Sequence, residues 1–320
     1  MKPMMLKIAG LAIAGSLVSA CGGSDDEPTI VELAQGQGLT ALLAAATKAG
    51  LADELSDEGA RLTVFAPTNA AFNTLATQLG FADATAMVTA LPASALASIL
   101  SYHVLAAERN AAALVAGGPT QDTIYSFAGS AARLSLNTTS GVRLTDAALT
   151  TTNVIAADVE ARNGVVHVVD KVLVPPGVLT VVQMAQVNPG AFSSLVGAVS
   201  AAGLVNTLNG AGPFTVFAPT DGAFTAVAGV VAGLTPTQLS TVLTYHVLPQ
   251  QVLSSGIPFG TPVPTVANQN ITITAGPAPT IARVTDSTAT PKNIVAVDVR
   301  ASNGVIHVLD GVLIPSLAVN

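Results

Sequence analysis

Thr63–Phe72 reads TVFAPTNAAF, and nearly the same segment returns at Thr215–Phe224 as TVFAPTDGAF, identical at eight of ten positions. The β-branched and aromatic residues at its start predict a strand in both places. Pro67 and Pro219 then end the strand, because proline has no N–H to donate to a neighbouring strand. The motif therefore predicts two equivalent strands, each followed at once by a change of structure.

A helix is predicted directly after each of these strands. Thr68 and Thr220 stand at the N-cap position, where a hydroxyl oxygen accepts a hydrogen bond from an otherwise free amide of the first turn. Phe72 and Phe224 fall one turn into each helix, where their rings can fold back over the preceding proline and be buried. The motif residues to which we assign a structural role are Phe65, Pro67, Thr68, Phe72, Phe217, Pro219, Thr220 and Phe224.

Two further motifs repeat in the same order. YHVL occurs at Tyr102–Leu105 and Tyr245–Leu248, and NGVVHVVDKVLVP at Asn163–Pro175 returns as NGVIHVLDGVLIP at Asn303–Pro315. The three pairs are offset by 152, 143 and 140 residues, so the second copy is the first with about a dozen loop residues removed. Each copy has about 140 residues, a common size for one domain with its own core.

Each copy combines helices in its first half with strands in its second. Leu39–Ala49 and Phe192–Ala202 carry apolar residues at helical spacing. Near the end of each copy, Asn163-Gly164 and Asn303-Gly304 join two β-branched runs, and this dipeptide is typical of the central residues of a two-residue hairpin loop. The order of elements predicts an α+β fold in each copy.

The first 20 residues have the pattern of a secretory signal. Two lysines precede an apolar run, Ile8–Val18, that is shorter than the roughly 18 residues a membrane-spanning helix needs. Cys21, the only cysteine, follows Val-Ser-Ala and resembles the lipid-attachment cysteine of bacterial lipoproteins. We predict a signal peptide at 1–20, lipid attachment at Cys21 and a flexible tether at 21–28. This places the protein in the cell envelope, lipid-anchored and extracytoplasmic, on the outer membrane or cell surface; an ordinary signal with an incidental cysteine is the alternative.

The composition excludes some classes of partner. Half of the residues are hydrophobic, 10% are charged, and the formal net charge of −7 becomes −9 once the two lysines of the signal are removed. A chain so poor in basic residues lacks the positive surface by which proteins bind nucleic acid or anionic lipid. With its one cysteine assigned to lipid, the chain forms no internal disulfide, so each copy depends on its apolar core.

The corner motif, the Tyr-His pair and the NGVIHV-type hairpin, in this order and in both copies, resemble the fasciclin-like domain. The resemblance covers residues 29–175 and 178–316, with Pro175-Pro176-Gly177 at the boundary. It implies two tandem domains, each a wedge of about seven antiparallel strands with a helical layer. It also implies adhesion through extracellular matrix, polysaccharide or cell-surface proteins, and some family members hold apolar small molecules such as carotenoids, so the fold does not decide the function.

All four histidines lie in the repeated motifs, a pattern that could indicate catalysis or metal binding. His167 and Asp170, like His307 and Asp310, stand three residues apart on a predicted strand. Their side chains therefore point to opposite faces and cannot form a base with its orienting carboxylate. We assign these four residues a structural role.

The hairpin adds a second argument against a catalytic mechanism shared by both copies. With a two-residue loop at Asn-Gly, His167 faces Glu160 whereas His307 faces Arg300, a residue of opposite charge. The sequence also contains no GxSxG, HExxH, Walker or GxGxxG motif. We predict structural hydrogen bonds for both histidines, and we expect no catalytic residue, no metal site and no cofactor.

Tyr102-His103 and Tyr245-His246 leave two interpretations open. In the first, the tyrosine covers an edge of the core and the histidine bonds to a neighbouring backbone group. In the second, the pairs contribute to a partner-binding surface, as discussed for the corresponding residues of animal relatives. We favour the first interpretation and keep the four residues as candidates for partner contact.

Two functional hypotheses follow. The first is a surface-tethered adhesion or matrix-binding module without catalysis, in which two copies offer two weak sites whose combined avidity can exceed either alone. The second is a carrier that encloses an apolar ligand, such as a lipid or a carotenoid, between helices and sheet. A lipid that co-purifies with the protein would favour the carrier.

Overall fold

A computed structural model describes residues 27–139, 141–278 and 280–317. Cys21, the predicted signal and most of the predicted tether lie outside these residues. In the first copy, a helical half precedes most of the strands. Its elements are α1 (Ile30–Gly36), α2 (Thr40–Ala49), α3 (Ala52–Ser56), β1 (Leu62–Pro67), α4 (Asn69–Gln78), α5 (Ala84–Ala90), α6 (Ala93–Tyr102), β2 (Val104–Leu105), α7 (Ala111–Ala116), β3 (Thr120–Phe127), β4 (Ser130–Asn137), β5 (Arg143–Thr145), β6 (Thr151–Ala161) and β7 (Gly164–Val169).

The second copy repeats this order, with a short 3₁₀ helix, Ser254–Gly256, after its second strand. The predicted α+β fold is confirmed in both copies. The elements of the second copy are α8 (Val181–Gln186), α9 (Pro189–Ala201), α10 (Val205–Leu208), β8 (Phe214–Pro219), α11 (Asp221–Ala226), α12 (Ala228–Val231), α13 (Pro236–Tyr245), β9 (Val247–Leu248), β10 (Pro262–Pro264), β11 (Asn270–Ala275), β12 (Ala282–Thr285), β13 (Pro291–Ala301) and β14 (Gly304–Leu309).

Seven strands form a sheet in each copy, in the order β2-β1-β7-β6-β5-β4-β3 and its equivalent β9-β8-β14-β13-β12-β11-β10. β1 pairs in parallel with β7, and β8 with β14, while the other neighbours in the described sheets are antiparallel. The expectation of a wholly antiparallel wedge is therefore corrected for one pair per copy. The parallel pair joins the first and last long strands of a copy, because helices and other strands supply the crossover that parallel strands require.

The strand-to-helix corner has the predicted geometry. β1 and β8 end at the prolines, and Thr68 and Thr220 each accept a hydrogen bond on Oγ1 from the N–H three residues on, at 3.1 and 3.3 Å. The side chains of Phe72 and Phe224 are 1% and 9% exposed. Capping and burial at the corner thus fix the direction in which α4 and α11 leave the sheet.

The hairpin loop lies one residue earlier than the sequence predicts. Its two loop residues are Arg162 and Asn163, because Ala161 already pairs with Gly164. Gly164 has φ of 150°, and a Cβ there would lie 2.0 Å from the carbonyl oxygen of Leu62 in β1. The glycine is therefore required by the close approach of the parallel strand, and not by a turn.

The asparagine of the Asn-Gly pair is a buried connector. Asn163 donates from Nδ2 to the carbonyls of Leu55 and Asp57, at 2.9 and 3.1 Å, and accepts on Oδ1 from the N–H of Ile30 at 2.9 Å. Asn303 makes the equivalent bonds in the second copy. In each copy this one side chain ties the hairpin to the first helix and to the end of the third.

The two copies touch through the segment that links them. Tyr125 donates its hydroxyl to the carbonyl of Pro176 at 3.0 Å, and the N–H of Gly177 donates to the carbonyl of Arg300 at 3.0 Å. The guanidinium of Arg300 lies over the ring of Phe127, 5.2 Å from its centroid. The linker is therefore held between β3 of the first copy and β13 of the second.

Within the described ranges, no single helix is both long enough and apolar enough to cross a membrane. The helices α5 and α6 reach that length and composition only when taken together, and they are bent by 118° at the break between them.

Candidate functional site

His103 and His246 hold the same position in the two copies, at the C-caps of α6 and α13. In His103, Nδ1 donates to the carbonyl of Ile99 at 2.7 Å, and Nε2 accepts from the backbone N–H of Leu173 at 2.8 Å. His246 makes the same two bonds, each at 2.8 Å. Because an amide can only donate, Nε2 is unprotonated and both rings are neutral. With both nitrogens in use, neither ring is free to act as a base or a metal ligand.

Burial explains why these rings stay neutral. His103 and His246 are 1% and 2% exposed, and burial lowers the pKa of each to about 4, against the opposing effect of the hydrogen bond to the carbonyl one turn earlier. The two histidines therefore join the end of a helix to the segment after the hairpin.

The tyrosines of the two pairs are also buried. Tyr102 is fully buried and Tyr245 is 1% exposed, and their hydroxyls donate to the carbonyls of Arg133 and Asn270 at 2.8 and 2.9 Å. Burial also raises the pKa of both phenols. None of the four Tyr-His side chains reaches the surface, so their surroundings favour the structural interpretation, and partner contact at these residues stays a prediction.

His167 and His307 lie in β7 and β14 and form another equivalent pair. His167 Nε2 donates to the carbonyl of Arg109 at 2.9 Å, and its Nδ1 accepts from the N–H of Asp158 at 3.2 Å. His307 makes the corresponding bonds at 2.9 and 3.4 Å, the longer one from the N–H of Asp298. Each ring also packs against the phenylalanine of the neighbouring corner strand, with 5.6 and 5.7 Å between centroids.

The observed register corrects one step of the sequence argument. Glu160 pairs with Val165 and Arg300 with Val305, so neither faces the histidine. Instead an aspartate, Asp158 or Asp298, approaches the ring in both copies, so the prediction that residues of opposite charge face the two histidines is wrong. The error follows from the loop position and from bulges in β6 and β13, which shift the register.

The histidine and aspartate still do not form a catalytic pair. The Nδ1 of His167 is 3.9 Å from Oδ1 of Asp158, and it already accepts from the backbone. Oδ1 of Asp158 accepts from the N–H of Ala111, at the start of α7. The carboxylate therefore holds the loop that covers the ring, as Asp298 does through Ser254.

Asp170 and Asp310 bind the start of the long strand of the hairpin. Asp170 accepts from the backbone N–H and the Nδ2 of Asn153, at 2.8 and 2.6 Å, and Asp310 makes the same pair of bonds with Asn293. In the part of the chain that the structure describes, no group of three or more His, Cys, Asp or Glu residues is arranged to hold a metal.

One buried carboxylate was missed in the sequence. Asp146 accepts four hydrogen bonds, from the N–H groups of Ala148, Thr150 and Val174 and from the Thr150 hydroxyl. Burial raises its pKa to about 6, against the opposing effect of these bonds. Asp286 holds the end of the second copy in a similar way, and its repeated Thr-Asp context was the available signal.

The first copy contains an apolar cavity of about 310 Å³ between α1, α2, α3, α6 and β1. Buried aliphatic side chains such as Leu42, Val64 and Leu100 form its wall, and the exposed side chains of Gln35 and Glu54 lie at its rim. The corresponding position in the second copy has only about 30 Å³. An alanine on a helix face does not by itself reveal whether a neighbour fills the space beside it, so this difference between the copies was not predicted.

The sequence of both copies matches a known protein family. The model of the fasciclin domain matches residues 37–175 and 190–315. The chain belongs to the fasciclin-domain family. Fasciclin-domain proteins are non-catalytic adhesion modules, and the prediction that this chain is not an enzyme is confirmed on that basis.

Individual relatives cover one or both fasciclin domains. Protein sll1483 of Synechocystis sp. is 40% identical over 144 residues, which are 43% of this chain and 75% of the relative. Transforming growth factor-beta-induced protein ig-h3 of Sus scrofa is 27% identical over 91% of this chain, which spans 38% of that relative. The solved fasciclin domain pair of the insect cell adhesion molecule fasciclin I aligns over 89% of this chain and 98% of its own, with a TM-score of 0.44 and 19% identity.

Proposed function

We propose that this chain is a lipid-anchored adhesion module of the cell envelope, tethered through Cys21, with two fasciclin domains at residues 29–175 and 178–316. Its partners are extracellular matrix, polysaccharide or cell-surface proteins. Membership of a family of adhesion modules supports the class of function. One observation assigns this function to particular residues: an exposed apolar side chain occurs at the same position in both domains.

Ile155 and Val295 occupy the same position, 140 residues apart, and are 57% and 58% exposed. Each is the extra residue of a bulge: in the first domain Val154 and Ala156 pair with consecutive residues of β7, which leaves Ile155 without a partner. A bulge changes the direction of a side chain, and in each domain it points one aliphatic side chain into solvent. Two equivalent exposed apolar groups suit a bivalent contact.

Substitution in the full chain tests this proposal. Ile155→Asp with Val295→Asp should abolish retention on a polysaccharide- or matrix-coated surface, while either change alone should weaken it. Val230→Asp is the control, because Val230 is 52% exposed in α12 but is not at a repeated bulge. If the double variant is retained like the control, this surface is not the contact site.

A second candidate function is that of a carrier for an apolar small molecule, and the cavity of the first domain supports it. Its volume of about 310 Å³ falls at the lower end of the range of roughly 300–1,000 Å³ for ligand pockets. Extraction of the purified protein with organic solvent, followed by mass spectrometry, should then release a lipid or carotenoid in near-stoichiometric amount. A clean extract from protein prepared without detergent would count against the carrier.

A further inference from the structure

The cavities of the two domains lie at equivalent positions but differ in volume. The residues that line the small cavity correspond one by one to lining residues of the large one; examples are Leu195 for Leu42, Val216 for Val64 and His246 for His103. The duplication therefore supplies an internal comparison, in which the surroundings are held nearly constant and the volume changes about tenfold, from 310 to 30 Å³.

Two substitutions between the copies act in the direction of this change, whereas Val181 for Ile30 and Val196 for Leu43 remove side-chain volume from the small cavity's wall. Ala46 in α2 lines the large cavity, and its counterpart in α9 is Val199, which adds two methyl groups to the wall of the small one. Leu62 at the start of β1 also lines the large cavity, whereas its counterpart is the larger Phe214, which packs against the core. Since protein interiors are closely packed, side-chain volume of this size decides whether a site is open.

The helix at the mouth also differs. α3 has five residues and α10 has four. Leu51 and Ala52, at the start of α3, line the large cavity, whereas their counterparts do not line the small one. The first domain therefore extends its cavity towards the start of α3, whereas the second domain reaches only Leu208 at the end of α10.

The chemistry of the wall restricts the guest. His103 is the one ionisable side chain in the buried part of the described lining, and both of its ring nitrogens are already bonded inside the protein. The lining contains no lysine or arginine among the described residues, and Glu54 stands at the rim. A carboxylate head group would meet a like charge there without a compensating cation. The cavity therefore suits a hydrocarbon body whose polar end is neutral.

We propose that the first domain, and not the second, binds one neutral apolar molecule between α1, α2, α3 and β1, and that Ala46 and Leu62 keep this site open. This inference rests on the carrier function and adds to it the exclusion of the second domain, the two residues that keep the site open and the neutral class of ligand. A dry apolar cavity of roughly 150 Å³ already binds benzene, so the larger cavity has room for a two-ring or chain-like guest.

Titration of the full chain with the neutral fluorescent probe N-phenyl-1-naphthylamine tests the assignment. The unmodified chain should bind one probe, and Ala46→Val with Leu62→Phe should weaken binding at least tenfold. The reverse pair, Val199→Ala with Phe214→Leu, should raise the stoichiometry towards two. Ala44→Val is the control, since Ala44 is exposed on α2 and does not line the cavity.

Competition then identifies the class of ligand. Hexadecanol should displace the probe at a lower concentration than palmitate, and a preference for palmitate would overturn the neutral class. Binding of two probes by the unmodified chain, or binding that the closing pair leaves unchanged, would overturn the assignment to the first domain while the carrier function stands. Absence of any probe binding would overturn both. If the closing pair does not fold by circular dichroism, Ala46→Val alone is measured, with weaker binding expected.

Discussion

The Nε2 atom of His103 accepts a hydrogen bond from the backbone N–H of Leu173 at 2.8 Å, across 70 residues of chain, and His246 accepts from Leu313 at the same distance. Each bond exists only while the imidazole is neutral, because a protonated Nε2 would face the amide hydrogen. In each domain, this contact between the helix end and the segment after the hairpin therefore depends on the protonation state of the histidine.

Acid should destabilise the protein through these two histidines. Their pKa falls from 6.5 in the unfolded chain to about 4 in the folded one, so the unfolded state takes up the proton first. The stabilisation is complete above pH 6.5 and is lost as the pH falls towards 4. Between pH 7 and pH 5 each histidine should cost on the order of 2 kcal/mol of unfolding free energy.

Urea unfolding at the two pH values measures this effect, and His103→Gln with His246→Gln is the comparison. The double variant should be less stable at pH 7 and should lose about 4 kcal/mol less on acidification. Asp146, with its pKa raised to about 6, acts in the opposite direction in both proteins and cancels in the difference. Identical pH dependence of the two proteins would show that the imidazoles are not held neutral.

The corner phenylalanines should matter for stability. Phe72→Ala and Phe224→Ala should each lower the free energy of unfolding by about 3–5 kcal/mol, because each leaves a cavity in a packed core. Phe259→Ala is the matched control, since that ring is 47% exposed, and it should cost well under half as much. A loss below about 1 kcal/mol at Phe72 would mean that the ring is a contact surface and not part of the core.

Local signals predicted the corner well and the hairpin less well. Thr68 and Phe72 act through neighbours within one turn of helix, so the sequence alone contains the relevant interactions. The Asn-Gly pair is the typical sign of a hairpin turn, yet Asn163 bonds to Leu55, Asp57 and Ile30, more than 100 residues away in the chain. A single sequence cannot separate these two causes of the same dipeptide.

The difference between the two cavities and the parallel strand pair were missed for the same reason. The contact of β1 with β7 joins residues about 100 apart, and it becomes visible only when the whole copy is folded. The space beside Ala46 depends on what α3 and β1 bring near it. The duplication was the one sequence signal that could have indicated it, through the replacement of Ala46 by Val199 and of Leu62 by Phe214.

The lipid anchor is tested by one substitution. Cys21→Ser removes the thiol that would carry the acyl chains, so the protein should move from the membrane fraction to the soluble fraction. The matched control is Ser24→Ala, also in the predicted tether, which should leave the distribution unchanged. Protein that stays with the membrane after loss of the cysteine would contradict anchoring at this residue.

The central claim is that the two domains act together as a bivalent adhesion module. Retention of the protein on a surface, compared at equal surface density, tests this claim most directly. Circular dichroism first shows that each single domain is folded. Beads are then passed over polysaccharide- and matrix-coated surfaces; each set of beads carries the tandem, residues 29–175 alone or residues 178–316 alone. Two weak sites acting together should hold the tandem much longer than either domain, by tenfold or more. Equal retention of one folded domain and the tandem would contradict the bivalent adhesion module.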